Sequence, residues 1–156
     1  VKRILAIDPG ASGGFAWHHI ESEPQEVVCC MPMPKTEGDV VGELTAIIAA
    51  NQIRVAYVEE VGGYCGAAMP GSAMFNFGRN FGFILGVLAA RGIRVELVKP
   101  QKWQKHFGLG TVKESGGKTP WKNKLKAKAQ QLFPHLDVTL KTADALLILE
   151  YGGKQP

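Results

Sequence analysis

Two short, almost wholly apolar runs, at residues 3–8 and 53–59, each stop on a carboxylate, Asp8 and Glu59. Runs of this length that are rich in Ile, Leu and Val and bounded by turn residues read as strands. Between them Val40, Val41, Leu44, Ile47 and Ile48 follow the spacing of an amphipathic helix that starts near Asp39. A strand entered from a helix is expected to lie parallel to the earlier strand through a right-handed crossover. The two acids then arrive together at the carboxyl edge of one sheet, where open α/β sheets place their ligands.

The rest of the chain fits around this pair. Pro9 and Gly10 stop and turn the first strand, and residues 15–19 and 26–31 read as two further strands across a polar Glu-Ser-Glu-Pro turn. These three strands make an antiparallel meander that Pro32 and Pro34 end. A helix is expected over 72–90, with Arg91-Gly92 as its stop, and a fifth strand over 94–98. Thr119 and Pro120 read as the cap and first residue of the next helix, whose buried stripe is Leu125, Ala129, Leu132 and Phe133. Residues 142–151 close the chain as a short apolar helix. The order β-β-β-α-β-α-β-α-α predicts one α/β domain over 1–156, a five-stranded mixed sheet with helices on both faces.

Two segments stand out. Residues 108–118 form a long stretch without regular structure, expected to be mobile, and read either as a loop able to close on a charged ligand or as an ordinary surface loop. Gly78, Gly82 and Gly86 recur at every fourth position of the 72–90 helix, each costing about 1 kcal/mol relative to alanine. A close contact is expected to compensate, first within the chain and otherwise with a partner subunit.

At 156 residues the chain fills one core and is too short for two ordinary domains. Its longest nearly uninterrupted apolar stretch, 81–90, is about half of a membrane span, so no membrane partner is expected. Val1-Lys2-Arg3 runs straight into the first strand without the apolar region of a signal peptide, which argues against secretion. Cys29 and Cys30 are adjacent and Cys65 stands alone, so neither a disulfide framework nor a zinc pair can be drawn; a reducing, cytoplasmic setting is expected.

Charge is unevenly spread. Residues 99–128 hold nine lysines against one acid, Glu114, a local charge of +8 in a chain of net +4, which leaves −4 for the rest. Such a block suits a partner with a phosphate backbone. The interleaved Trp103, Gln104, His106, Phe107, Trp121 and Asn123 favour nucleic acid over a merely solvated face. Lys99, Lys102, Lys105, Lys118, Lys122 and Lys126, with Tyr64 and Arg79, are the candidate DNA contacts.

A third acid completes the pattern. Asp144 alone interrupts the apolar Thr-Ala-Asp-Ala-Leu-Leu-Ile-Leu segment, and a buried carboxylate is costly unless it is paired or bound to metal. A lysine partner would satisfy it too, just as Asp8 can be a turn residue and Glu59-Glu60 a polar strand end. Carboxylates on separate elements suit Mg²⁺, and the missing Cys/His pattern argues against zinc. Phosphodiester hydrolysis uses two such cations, one on each side of the phosphorus.

At this point the sequence resembles a family. Ile-Leu-Ala-Ile-Asp-Pro-Gly with Gly13-Gly14 and Phe15-Ala16 looks like the opening strand of RuvC-type Holliday junction resolvases, particularly small phage members. Val58-Glu59-Glu60-Val61 resembles their second acidic motif. Residues 71–90 and 95–103 are similar to their central helix, next strand and Lys-Pro-x-x-Trp-like stretch. Thr142-Ala143-Asp144-Ala145-Leu146 matches their final Ala-Asp-Ala-Leu motif. The likeness covers nearly the whole chain in the correct order.

The resemblance implies a ribonuclease H-like fold, a homodimer, and two Mg²⁺ or Mn²⁺ ions per active site in a bacterial or phage-infected cell. It implies paired symmetric nicks in four-way junctions that leave 5′ phosphates. Asp8, Glu59 and Asp144 would be the catalytic metal ligands. Glu59 matches the family's acid by standing two residues before Val61, and Glu60 is the reserve. The family's further acid has no direct counterpart, since those positions are Leu140 and Lys141, and Asp137 is the nearest substitute. The alternatives are a broader nuclease for branched DNA or RNA–DNA hybrids, and a branched-DNA-binding module without catalysis.

Overall fold

Strand β1 (Ile4–Asp8) alternates two buried sets, Leu5 and Ile7 on one face and Ile4 and Ala6 on the other, so it needs cover on both sides. The computed structural model describes residues 3–20, 26–62 and 69–156. Around β1 it places β2 (Gly14–Ile20), β3 (Glu26–Pro32), α1 (Glu37–Asn51), β4 (Val55–Glu59), α2 (Gly71–Ala90), β5 (Arg94–Val98), α3 (Pro100–His106), α4 (Lys118–Leu132) and α5 (Ala143–Gly153). The sheet order is β3-β2-β1-β4-β5. β1, β2 and β3 pair antiparallel, while β4 lies parallel to β1 with Ile7 opposite Val58, and β5 parallel to β4. The expected meander and crossover are both present.

Helices cover both faces. Ala6, Ala16 and Tyr57 pack with Trp103 of α3, Trp121 and Leu125 of α4, and the buried run of α5. Leu5, Ile7, Phe15, Ala56 and Val58 pack with Val40, Leu44 and Ile47 of α1 and with Ile84 and Leu88 of α2. The small side chains of Ala6 and Ala16 admit α5 closely, and at Gly152 a Cβ would lie only 2.6 Å from the Tyr57 ring. Leu146 is fully buried in this layer. Leu146→Ala is therefore expected to cost about 2–5 kcal/mol of stability, measured by urea unfolding with an unchanged slope.

Four expectations need correction. The element order gains a helix, α3, which Pro100 opens from its first position; seven residues are too few to display a periodic stripe. Helix α4 starts at Lys118, with Gly117 (φ 128°) at the cap position, so Thr119 is not the cap and Pro120 falls inside the first turn, where its missing N–H costs nothing. Residues 108–118 hold a hydrogen-bonded turn: the Thr111 amide donates to Glu114 Oε2 at 2.8 Å, and the Glu114 amide to Thr111 Oγ1 at 3.2 Å. Lastly, among the described residues nothing stands within 4 Å of a Cβ built at Gly78, Gly82 or Gly86. Helix α2 turns Ile84 and Leu88 to the sheet, and all three glycines lie exposed on its other side.

Helix α2 is also long and apolar enough, by length and composition, to match a membrane span, which the 81–90 stretch alone did not suggest. Its place in the fold opposes that reading. It connects β4 to β5, parallel neighbours in one sheet, and seats Ile84 and Leu88 in the core.

Candidate active site

Because β1 and β4 are parallel and Ile7 faces Val58, the next residues, Asp8 and Glu59, stand side by side at the carboxyl edge of the sheet. Asp144 arrives from the first turn of α5, which packs on β1, and is 4% exposed. Three elements thus deliver three carboxyl groups to one edge. Close backbone approach keeps Asp8 in place: the Gly13 amide donates to Gly10 O at 2.9 Å, and a Cβ at Gly13 would sit 2.3 Å from Asp8 O. Only glycine fits there.

The three acids sense one another. Burial, then the charge of Asp144, pushes Asp8 from 3.8 up to about 6, against the Gly10 amide and Lys122, which act to lower it. Burial, then Asp8, drives Glu59 from 4.5 up to about 8, although Trp103 donates its indole N–H to Glu59 Oε2 at 2.7 Å and favours the anion. Lys122 of α4 donates to Asp144 Oδ2 at 2.6 Å. Burial alone would lower the lysine, but Asp144, with help from Asp8 and Glu59, holds it above its ordinary value. Asp144 Oδ1 is buried and, among the described residues, has no hydrogen-bond partner.

These features suit a hard cation in their donor chemistry: all-oxygen ligands, two carboxyls whose ionisation is penalised, and one orphaned carboxylate oxygen. Among the described residues, however, no three His, Cys, Asp or Glu side chains stand close enough to form a ready cage. The ammonium of Lys122 is the cation that the cluster already holds.

The other candidates fall as follows. Glu60 follows β4, its amide bonded to Val98 O, and Asp137 is exposed beyond α4; neither is among the charges that act on Asp8 or Glu59. Lys99, Lys102 and Lys105 are exposed at and along α3. Lys118, Lys122 and Lys126 recur at every fourth residue of α4, a single stripe that leads into the acids. Arg79 forms a surface pair with Glu37 at 2.8 Å. Tyr64 and Cys65 lie outside the described residues.

Two aromatic readings change. Trp103 is fully buried and Trp121 is 4% exposed, so neither is free to stack on a nucleotide. Trp103 is instead the partner of Glu59, a role that no spacing rule could have signalled, since 44 residues separate the two.

No family profile and no curated protein sequence matches the chain. Solved structures do, two RuvC structures among them. One is Thermus thermophilus RuvC in complex with a Holliday junction substrate, at 15% identity and a TM-score of 0.57, covering 94% of this chain and 88% of that one. The other is a Thermus thermophilus RuvC structure at 16% identity and a TM-score of 0.54, covering 94% and 90%. The mixed five-stranded sheet with helices on both faces is the ribonuclease H-like α/β fold, in the form seen in RuvC.

Proposed function

We propose that this chain is a metal-dependent, structure-selective endonuclease of the RuvC type, akin to its small phage members, which nicks four-way DNA junctions in symmetric pairs. The observation that carries the reading is the convergence of Asp8, Glu59 and Asp144 at the carboxyl edge of the sheet, beside a lysine stripe. Asp8, Glu59 and Asp144 would hold Mg²⁺ or Mn²⁺. Bound there, such ions would supply activation of the attacking water and charge stabilisation at the leaving oxygen. Water attacks phosphorus in line, the bond to O3′ breaks, and the products carry a 3′ hydroxyl and a 5′ phosphate. Lys99, Lys102, Lys105, Lys118 and Lys126 position the strands through phosphates without reading sequence. Lys122 orients Asp144 through their hydrogen bond.

Two scissile strands call for two sites related by a two-fold axis, hence a homodimer. Its interface is the exposed side of α2. Phe75 is 69% exposed, and Phe75, Gly78, Gly82 and Gly86 follow one another along a stripe that, among the described residues, nothing covers. Bare helix backbone beside a protruding ring is self-complementary, as a two-fold contact requires.

Incubation of a labelled four-way junction with Mg²⁺, with products mapped on both strands, tests the reading. Symmetric paired nicks are expected; cleavage only of flaps or RNA–DNA hybrids would replace it with the broader nuclease. The Lys122–Asp144 pair favours one further reading, a junction-binding module without catalysis, and binding with no nicking in Mg²⁺ or Mn²⁺ would select it.

Trp103 supports Glu59 from behind, and such partners are worth about 10–100-fold in metal affinity or activity. Trp103→Phe is expected to weaken Mn²⁺ binding about tenfold by calorimetry and to slow nicking in parallel, with junction affinity unchanged.

A further inference from the structure

At the sheet edge opposite the acids, the three parallel strands each begin at an arginine: Arg3 just before β1, Arg54 just before β4, and Arg94 as the first residue of β5. Backbone hydrogen bonds join them in a row, the Arg54 amide donating to Arg3 O at 3.0 Å and the Arg94 amide to Arg54 O at 3.3 Å. Neighbouring strands lie about 4.8 Å apart, so the row is about 10 Å long. Arg91, at the end of α2, shares with Arg54 and Gln52 the lining of a cleft of about 280 Å³. Four of the chain's five arginines thus gather at one edge, about 17 Å along β1 from Asp8.

Little among the described residues neutralises them. Arg94 pairs with Glu96 at 3.2 Å in a surface contact, and Arg3 donates to the neutral Gln52 side chain. Arg54 and Arg91 are exposed and, among the described residues, have no acidic partner. The carbonyl ends of α1 and α2 open on the same cleft, each equivalent to about half a negative charge. Those two ends and Glu96 offset two of the four guanidinium charges, which leaves about +2 for a ligand.

A guanidinium group is a planar fork that binds phosphate or carboxylate through two parallel hydrogen bonds. Charge density separates the two. Duplex DNA carries a negative charge for about every 1.7 Å of its axis, so a row of about 10 Å meets several phosphates at once. An extended acidic peptide turns a carboxylate to one face only about every 7 Å. We propose that the arginine edge is a second DNA surface, which holds the phosphate backbone of one duplex segment while the acidic edge holds another at its branch point. The protein then carries two DNA segments at once and passes from duplex to duplex in its search for branches. The surface rests on the nuclease reading for DNA as its partner, while its own test needs no cleavage.

The full chain is saturated with a donor-labelled four-way junction in EDTA and titrated with an acceptor-labelled linear duplex. Energy transfer from junction to duplex is expected. Arg54→Gln combined with Arg91→Gln, folded by circular dichroism, should weaken this capture about tenfold and lower its log–log salt slope by about 2. Junction affinity and Mg²⁺-dependent nicking should stay native in that variant. Wild type that captures no duplex once saturated with junction would overturn the surface. So would a variant that captures as tightly as wild type, even one less stable in urea, because the arginines would then serve only the carbonyl ends of α1 and α2. Binding of a polyglutamate peptide in place of the duplex would give the edge to an acidic protein and overturn it as well. A wild-type protein that captures duplex yet nicks no junction would remove the nuclease reading and leave the arginine surface standing.

Discussion

Asp8→Asn is expected to lower junction nicking by about 10³-fold or more while junction binding stays within about threefold of native. Asparagine keeps the shape of the side chain and can still accept the Gly10 amide, so the turn through Pro9 and Gly13 survives. What it loses is the charge at the centre of the cluster. On the proposed reading lysines, not Asp8, position the strands, so affinity and cleavage separate. A variant that nicks at the native rate would sink the assignment of the three acids.

The same substitution is expected to stabilise the metal-free fold at alkaline pH. Asp8 is held at about 6 instead of 3.8, and Glu59 at about 8 instead of 4.5, so the folded state binds these protons more tightly than the unfolded chain does. Stability then falls as pH rises: the unfolded carboxyls ionise first, near 4, and the loss is complete above the folded values of about 6 and 8. For Asp8 the penalty at pH 8 is on the order of 2–3 kcal/mol. Urea unfolding in EDTA at pH 5 and pH 8 checks it. Wild type should weaken relative to Asp8→Asn at the higher pH, and Mg²⁺ should restore wild type alone. An identical pH response in both proteins would mean that Asp8 ionises freely.

Strands and acids were legible because their signals are local. Ile4 to Ile7 is apolar without a break, Pro9 and Gly10 end it, and a helical repeat at 40–48 forces the crossover that makes Asp8 and Glu59 neighbours. Asp144 was legible as an outlier in an apolar helix. Its partner was not: nine lysines fill 99–128, and only the packing of α4 on α5 selects Lys122. Trp103 was misread because an aromatic among lysines looks the same whether it faces solvent or the core.

The glycines of α2 show where sequence and structure together say more than either alone. Three glycines in register cost a helix about 1 kcal/mol each, and among the described residues nothing packs on them to offset that cost. The open space around them separates two explanations experimentally. If the stripe faces only solvent, Gly82→Glu should stabilise the fold by about 1 kcal/mol, since glutamate is the better helix former and its Cβ meets no atom of the described residues within 4 Å. If it is the two-fold interface, the same change drives two carboxylates into an apolar contact between helices. Gly82→Glu is then expected to turn a dimer into a 16.9 kDa monomer by analytical ultracentrifugation. Paired nicks should give way to single, uncoupled ones, because each acidic cluster remains intact while the second is no longer held across the junction. A Gly82→Glu protein that sediments as a dimer and still cuts in symmetric pairs would place the interface elsewhere. The glycines would then be left without a structural reason.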